Sequence, residues 1–264
     1  VHPKANFINA DICDTALYSR LKNLNIDTIY HLAAQSAGEP SYDDPKFDIL
    51  TNSYGTYLIA KFCKDNKINR LIYTSTVAVY GNSGVSVLDE DSKINPDSIY
   101  GVSKYSGEMF IKQTLDNSNT KFTIFRFFNT YGPNQSEDFV VSKFLKAALN
   151  NKDITIYGDG KQTRTFCYVD DNVNTCIKIF ENNLMLNDVI NIGGAQEYEI
   201  KQLAQLIIQK TNSKSKLVYL PALEEGDMTR RMPDNSKMKQ ILDSDLISIE
   251  KGIDLMLSHS DFKY

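Results

Sequence analysis

The stretch RLIYTST, residues 70–76, is a short run of branched and aromatic side chains of the kind that forms a buried strand. Two further runs of this type, TIYHLAA at 28–34 and FTIFRFFN at 122–129, lie on either side of it. Longer segments at 44–66 and 98–117 separate the three runs, and each is apolar along one face. Because strands that alternate with amphipathic helices are typical of βαβ units, we predict an α/β fold around a parallel sheet.

Prolines stand where the two predicted helices should begin. Pro45 opens the first helix, and the pair Asn95–Pro96 precedes the second. After residue 130 the alternation becomes less regular, which predicts a second, smaller α/β region. In order, this region holds a loop at 131–138, a helix at 139–150, a short strand and turn at 153–163, a helix at 197–211 and a polar stretch at 221–237.

Composition excludes several classes of function. The chain has 264 residues, 42% of them apolar, a formal net charge of -4 and no block of basic residues, so it offers no surface suited to nucleic acid or to an anionic membrane. The four cysteines form no CxxC pair and there are three histidines, which predicts reduced thiols and no zinc site. Neither a run of about 20 apolar residues nor a signal peptide is evident, and we expect a cytoplasmic protein.

Small and hydroxylated residues close the predicted strands. Ligands of open parallel sheets bind at the carboxyl ends of the strands. Ala33 and Ala34 end the first strand and would let a cofactor approach the backbone. The hydroxyl of Thr76 ends the second strand and can bond a substrate oxygen, although turns and helix caps use the same residue type. Phe127 and Phe128 end the third strand, where aromatic side chains more often belong to the core.

A tyrosine and a lysine lie four positions apart in IYGVSKYSGE, residues 99–108. On a helix, Tyr100 and Lys104 would face the same space. The ordinary pKa of tyrosine is about 10, and a neighbouring ammonium lowers it by stabilising the phenolate. Tyr100 could then take or give a proton near neutral pH. By itself this spacing is more often that of two ordinary surface residues.

Taken together, the motifs resemble the extended short-chain dehydrogenase/reductase family, in particular its nucleotide-sugar epimerases and dehydratases. The resemblance covers nearly the whole chain. The matching pieces are ADI (10–12), HLAAQSA (31–37), NSYGT (52–56), TSTVAVYG (74–81), NPDSIYGVSK (95–104), RFFNTYGP (126–133), GDGKQTRTFCYVDD (158–171), NIGG (191–194) and RRMPDNSK (230–237).

The resemblance implies a catalytic trio of Thr76, Tyr100 and Lys104. Tyr100 would be the acid/base on the sugar, Lys104 would hold the nicotinamide ribose, and Thr76 would orient the reacting oxygen. It further implies NAD as cofactor, bound by Asp11, Ile12, Ala33, Ala34, Gln35, Asn52, Tyr100, Lys104 and Phe127. The implied substrate is a nucleotide-diphosphate sugar, with a UDP-sugar favoured, and its implied binding residues are Thr76, Asn129, Arg164 and Arg231. The guanidinium groups of the two arginines suit phosphate oxygens.

The resemblance also implies the domain plan. We expect a Rossmann-like NAD-binding domain of residues 1–128 plus 165–192, and a smaller nucleotide-sugar-binding α/β domain of residues 129–164 plus 193–264. A homodimer through the helices at 44–66 and 98–117 is expected as well.

One departure from the family bears on the reaction. Dehydratases and decarboxylases of this family usually carry an acidic residue directly after the threonine that matches Thr76, and Val77–Ala78 stands there instead. Because elimination of water needs an acid and a base at this place, 4,6-dehydration and decarboxylation are disfavoured. A 4-epimerase, or alternatively a 4-ketoreductase, is expected.

The second departure is at the start of the sequence. The family opens with a strand, a glycine-rich GxxGxxG turn and a helix, and none of these precedes NFINADI, so we expect roughly 50–60 residues of the family pattern to be missing. The choice between NAD and NADP cannot then be read from the ribose-binding residue. A catalytically silent remnant stays an alternative, and we expect the chain as given to bind NAD weakly, because that turn holds the pyrophosphate.

Overall fold

The computed structural model describes residues 3–36, 38–82, 84, 86–222 and 232–262. Its strands are β1 Thr28–His31, β2 Arg70–Thr76, β3 Lys121–Phe127, β4 Thr130–Tyr131, β5 Ile154–Tyr157, β6 Thr163–Thr165, β7 Cys167–Tyr168, β8 Asp188–Ile192, β9 Glu197–Glu199 and β10 Leu217–Leu220. The α-helices are α1 Thr15–Leu21, α2 Gly38–Asp43, α3 Pro45–Ile49, α4 Thr56–Asp65, α5 Ile99–Leu115, α6 Val140–Leu149, α7 Val169–Glu181, α8 Ile200–Thr211, α9 Ser236–Leu242 and α10 Ile249–Ser258. A π-helix, Leu50–Gly55, joins α3 to α4, and two 3-10 helices lie at Val77–Tyr80 and Ser260–Phe262.

The main sheet has four strands in the order β1-β2-β3-β8. β1 and β2 run parallel, with Thr28 opposite Arg70 and His31 opposite Tyr73. Three two-stranded sheets accompany it, namely β5 with β10 and β4 with β7, both parallel, and β6 with β9, antiparallel. The prediction of an α/β fold built on parallel strands is confirmed.

Both predicted helix starts carry side-chain caps. Asp44 accepts a hydrogen bond from the amide of Phe47 at 2.9 Å, with Pro45 at the first helical position. Ser98 accepts one from the amide of Gly101 at 3.1 Å and begins α5. These caps satisfy amides that have no partner inside the helix, which fixes where each helix begins.

The helix predicted at 44–66 is interrupted by the π-helix. Two neighbouring residues of the π-helix, Asn52 and Ser53, both reach Ser103 on α5. Asn52 Nδ2 lies 3.1 Å from Ser103 Oγ, and Ser53 Oγ donates to the Ser103 carbonyl at 3.0 Å. These contacts hold the π-helix against α5.

The helix predicted at 197–211 begins three residues later. Residues 197–199 form β9, which pairs antiparallel with β6. Glu199 and Gln202 then form a capping box, which satisfies the first amides of α8 and sets its start at Ile200.

The chain divides into two compact units. The first comprises Val1–Val79, Pro96–Ile124 and Leu186–Asp188, and the second comprises Tyr80–Asn95, Phe125–Met185 and Val189–Tyr264. These limits differ from the predicted domain boundaries, which stay a prediction because compactness does not show which part binds which ligand. Of the helices in the described ranges, none is both long and apolar enough to cross a membrane.

Each unit has its own apolar interior. In the first, side chains of α4, β2 and α5 are buried, among them Ile59, Phe62, Leu71, Tyr73 and Ile111. In the second, a cluster joins α6, β5, α8 and α10, and includes Phe144, Leu145, Ile156, Leu203 and Ile253.

Candidate active site

The carboxyl end of β2 meets the beginning of α5 within the first unit. Thr76 is the last residue of β2, and its Oγ1 accepts the amide of Ala78 at 3.2 Å. Gly101, in the first turn of α5, packs so closely on Ala78 that a Cβ there would stand 2.6 Å from the Ala78 carbonyl oxygen. This approach brings Tyr100, which is half-buried, beside the segment that follows Thr76.

Lys104, one turn along α5 from Tyr100, is only 3% exposed. Its Nζ lies over the ring of Tyr73 on β2, 4.4 Å from the centroid, which is a cation–π contact. The Tyr73 hydroxyl donates to the Lys104 carbonyl at 3.3 Å. A Cβ at Gly107 would stand 2.5 Å from this hydroxyl oxygen, so the absence of a side chain at Gly107 lets α5 approach β2.

Two buried carboxylates accompany the ammonium of Lys104. Glu108 accepts a hydrogen bond from Ser75 Oγ at 2.5 Å, and Asp48 accepts one from Asn52 Nδ2 at 3.0 Å. Burial lowers the pKa of Lys104 to about 7, while the charges of Glu108 and then Asp48 act in the opposite direction. Burial raises the pKa of Asp48, and a hydrogen bond from Ser103 and the charge of Lys104 oppose that rise.

The segment after β1 is held by a reciprocal pair of hydrogen bonds. The amide of Gln35 donates to Asn52 Oδ1 at 2.9 Å, and Asn52 Nδ2 lies 3.1 Å from the Gln35 carbonyl. Ala33 is exposed and Ala34 half-buried. The backbone at Gln35 is therefore held in place, and the two residues before it carry only methyl side chains.

Asp11 and Ile12 form a tight turn in the same unit. Asp11 Oδ1 accepts the amide of Cys13 at 2.8 Å, which orients the exposed carboxylate. Ile12 is half-buried against Gly55 of the π-helix, and its carbonyl accepts the hydroxyl of Tyr18 at 2.7 Å. An acidic group and an apolar side chain thus stand next to each other at this turn.

His31, the last residue of β1, is buried in a single tautomer. The hydroxyl of Thr56 donates to the Asn52 carbonyl at 2.6 Å, so its one hydrogen is used there. His31 Nε2, 2.9 Å from the Thr56 oxygen, must then be the donor, and Nδ1 carries no proton. Among the described residues Nδ1 has no hydrogen-bond partner. Burial, and next the charge of Lys104, lower the pKa of His31 to about 3.

Acid should therefore destabilise the protein through His31. Its folded pKa of about 3 lies below the ordinary value of 6.5, so the unfolded chain binds more protons between these two pH values. The free energy of unfolding then falls by up to about 1.4 kcal/mol for each pH unit below 6.5. His31→Gln keeps a donor for Thr56 but does not titrate. We expect urea unfolding at pH 7, 6 and 5 to show a shallower loss of stability in the variant, and equal slopes would contradict this account.

Three of the residues expected to contact ligands lie in the second unit. Phe127 is half-buried at the end of β3, stacked on Phe125 with 6.0 Å between ring centroids. Asn129 Nδ2 donates to the carbonyl of Thr165 at 3.0 Å, which places Asn129 next to β6. The neighbouring Arg164 is buried in β6, and its Nη1 donates to the Thr163 carbonyl at 2.7 Å. Arg231 lies outside the described residues.

Sequence reasoning missed the carboxylates around Lys104. Glu108 lies four residues after Lys104, the same spacing that singled out Tyr100, so its place on the lysine face of α5 could have been read. Asp48 lies four residues before Asn52 and carried the same kind of signal. Ser41 was also missed: its hydroxyl accepts the amide of Tyr100 at 3.2 Å and so braces the start of α5 from α2.

The parallel sheet with its flanking helices is the fold of the extended short-chain dehydrogenases/reductases, and α5 carries Tyr100 and Lys104 one turn apart. Residues 1–193 match the model of the NAD dependent epimerase/dehydratase family, and the chain belongs to this family.

Relatives of known name agree with this assignment. A Methanocaldococcus jannaschii protein named "Putative UDP-glucose 4-epimerase" is 32% identical over 261 residues, which is 96% of this chain and 83% of that protein. Proteins named as UDP-glucuronic acid decarboxylase and as dTDP-D-glucose 4,6-dehydratase match as well.

Solved structures give the same picture. The UDP-glucose 4-epimerase of Thermotoga maritima with UDP-glucose superposes with a TM-score of 0.92 at 29% identity, covering 99% of this chain and 85% of that one. The UDP-glucuronic acid 4-epimerase of Bacillus cereus, in complex with UDP-glucuronic acid and NAD, gives 0.88 at 30% identity, covering 97% and 81%.

Proposed function

We propose that the protein catalyses NAD-dependent epimerisation at C4 of a UDP-sugar. The observation that carries the proposal is the buried Lys104 ammonium, which lies one helical turn from Tyr100 and beside β2, the strand whose last residue is Thr76. Names of relatives and structural neighbours support an activity on nucleotide sugars, both as epimerases and as dehydratases or decarboxylases.

Tyr100 is the acid/base of the proposed reaction. Its oxygen takes the proton of the C4 hydroxyl during oxidation and returns it when C4 is reduced on its other face. The positive charge of Lys104 favours the phenolate form that this first step needs. Thr76 Oγ1 accepts the amide of Ala78, so its own hydrogen is the donor that orients the substrate oxygen.

The residues present fit NAD. The small side chains of Ala33 and Ala34 allow a dinucleotide to approach a strand end that Asn52 and Gln35 hold in place. The exposed Asp11 carboxylate beside Ile12 suits an adenosine. When bound, NAD supplies the hydride acceptor and donor for C4. The residues that would contact it or brace its contacts are Asp11, Ile12, Ala33, Ala34, Gln35, Asn52, Tyr100, Lys104 and Phe127.

Val77–Ala78 favours epimerisation over elimination. Val77 is buried and Ala78 half-buried, and neither side chain can move a proton. Dehydration of the sugar would need an acid and a base that act beyond C4. A reaction confined to C4 needs only the Tyr100 oxygen and the hydride.

Binding of the substrate's diphosphate falls to the second unit in this proposal. Asn129, whose side chain donates to the Thr165 carbonyl, and Arg164, the residue before Thr165 in β6, would hold the diphosphate together with Arg231. The predicted domain of residues 129–164 plus 193–264 is the proposed nucleotide-sugar-binding part, and residues 1–128 plus 165–192 the proposed NAD-binding part. A cytoplasmic location stays a prediction.

An epimerase assay on the protein expressed from its complete reading frame tests the function. The protein is incubated with UDP-glucose, UDP-galactose, their N-acetyl forms and UDP-glucuronic acid, with no added reductant. We expect one pair of C4 epimers to interconvert. A 4-keto-6-deoxy or decarboxylated product would overturn the proposal, and turnover only of a keto-sugar with added NADPH would identify a ketoreductase.

We also propose a homodimer. Helical segments of the first unit carry exposed apolar side chains, each at least 39% exposed: Phe47, Leu50, Tyr54, Val102, Met109 and Phe110. Apolar surface of this extent on neighbouring helices is typical of a subunit interface. Light scattering should report twice the chain mass, and a monomer at micromolar concentration would contradict the proposal.

A further inference from the structure

The ammonium of Lys104 belongs to a buried group of three charges. Asp48 on α3 and Glu108 on α5 are both fully buried. Glu108 lies one helical turn after Lys104 on α5, and Asp48 is bonded to Asn52, whose Nδ2 lies 3.1 Å from the hydroxyl of Ser103, the residue before Lys104. Asp48 and Glu108 are inaccessible to solvent and Lys104 is only 3% exposed, so their mutual attraction is little screened by water. The group carries two negative charges and one positive charge when all three are ionised.

Each carboxylate is hydrogen-bonded to a segment that carries a residue of the proposed active site. Glu108 accepts the hydroxyl of Ser75, the residue before Thr76 at the end of β2. Asp48 accepts a hydrogen bond from the side-chain amide of Asn52, which also holds the backbone of Gln35 after β1. The charge group is therefore tied by direct hydrogen bonds to both strand ends that border the proposed cofactor site.

Without the carboxylates, burial would remove the charge of Lys104. An ammonium that is cut off from water tends to lose its proton, and a carboxylate within a few ångström opposes this loss. The titratable groups that surround the lysine are His31 from β1, Tyr73 from β2, Asp48 from α3, and Tyr100 and Glu108 from α5. Of these, His31 and Tyr73 are neutral at pH 7 because burial disfavours their charged forms, so neither supplies a negative charge to the ammonium.

We propose that Glu108 and Asp48 are positioning residues that keep the Lys104 ammonium charged and in place one turn from Tyr100. They touch neither substrate nor cofactor in this account and act only through the lysine. The proposal rests on the proposed function for its catalytic meaning, while the protonation of Lys104 can be measured without substrate.

The two carboxylates should differ in strength. Glu108 has the larger effect on Lys104, and Asp48 the smaller. Glu108→Gln and Asp48→Asn keep the shape of the side chain and its acceptor oxygen while removing the charge. We expect Glu108→Gln to lower the pKa of Lys104 by about 1–3 pH units and Asp48→Asn to lower it less.

The experiment is an NMR titration of the protein from its complete reading frame, with lysine labelled with carbon-13 at Cε. The signal of Lys104 is the one absent from a Lys104→Met sample, and in the unsubstituted protein we expect its pKa near 7. Asp65→Asn, which removes an exposed carboxylate paired with Lys61 on α4, is the matched control and should leave this pKa unchanged. In the epimerase assay, the alkaline limb of kcat should move to lower pH by the same amount.

The outcomes separate this proposal from the proposed function. An unchanged Lys104 pKa in either variant would overturn the role of that carboxylate, whatever the activity. A fall in both variants supports the role even where no epimerase activity is found. If Glu108→Gln does not fold, Glu108→Asp tests the same carboxylate, because the side chain is one methylene shorter and its charge acts on Lys104 from a greater distance. It should lower the Lys104 pKa by a smaller amount, and no change would overturn the role of Glu108.

Discussion

Replacing Tyr100 by phenylalanine should lower kcat by about 10²–10⁴-fold and leave the KM for the nucleotide sugar nearly unchanged. The substitution removes one oxygen from a half-buried side chain. The amide of Tyr100 still donates to Ser41, and the cap of α5 at Ser98 is untouched. Loss of the proton carrier, with the helix intact, is the physical reason for an effect on turnover alone.

Tyr105→Phe is the matched control, because Tyr105 is also half-buried and lies on the same helix. We expect its kcat to stay close to that of the unsubstituted protein. Steady-state kinetics on the protein from its complete reading frame give both values. An unchanged kcat in Tyr100→Phe would remove Tyr100 from the mechanism.

Replacing Lys104 by methionine should damage both activity and stability. The cation that supports the phenolate is lost, so kcat should fall by about 10²-fold or more. Asp48 and Glu108 remain buried without their positive partner, and breaking a buried ion pair in this way costs about 3–5 kcal/mol. Urea unfolding and kinetics measure the two effects separately.

The triple variant Lys104→Met, Glu108→Gln, Asp48→Asn distinguishes the two causes. It removes all three charges and should recover much of the lost stability, while kcat stays low. Lys112→Met is the control, because Lys112 is a half-buried lysine two turns further along α5. It should change neither kcat nor the free energy of unfolding appreciably. Recovery of kcat in the triple variant would show that the lysine charge is not needed.

The elements that carry the site could be predicted because their signals are local. RLIYTST forms β2 with the predicted bounds, since a short, continuous apolar run fits a strand buried on both faces. The helix predicted at 98–117 is α5, whose Ser98 cap lies in the sequence itself. By contrast, the π-helix contacts Ser103, about fifty residues away, and no local sequence pattern predicts it.

The electrostatics of the site could be predicted only in part. The spacing of Tyr100, Lys104 and Glu108 is visible in the sequence and places all three on one face of α5. That Lys104 is nearly inaccessible to water is a property of the packing of β2 against α5, and its lowered pKa follows from that packing. The spacing of Asp48 to Asn52 is also visible in the sequence, but the turn of α3 into the π-helix, through which Asp48 joins the group, is not.

The fate of the hydrogen at C4 tests the central claim most directly. The interconverting UDP-sugar is prepared with deuterium at C4 and incubated with the protein from its complete reading frame, and the epimer is analysed by NMR and mass spectrometry. If the hydride leaves and returns within one site, the epimer keeps deuterium at C4. Hydrogen from the solvent at C4, or a 4-keto-6-deoxy product, would contradict epimerisation by Tyr100-assisted oxidation and reduction at C4.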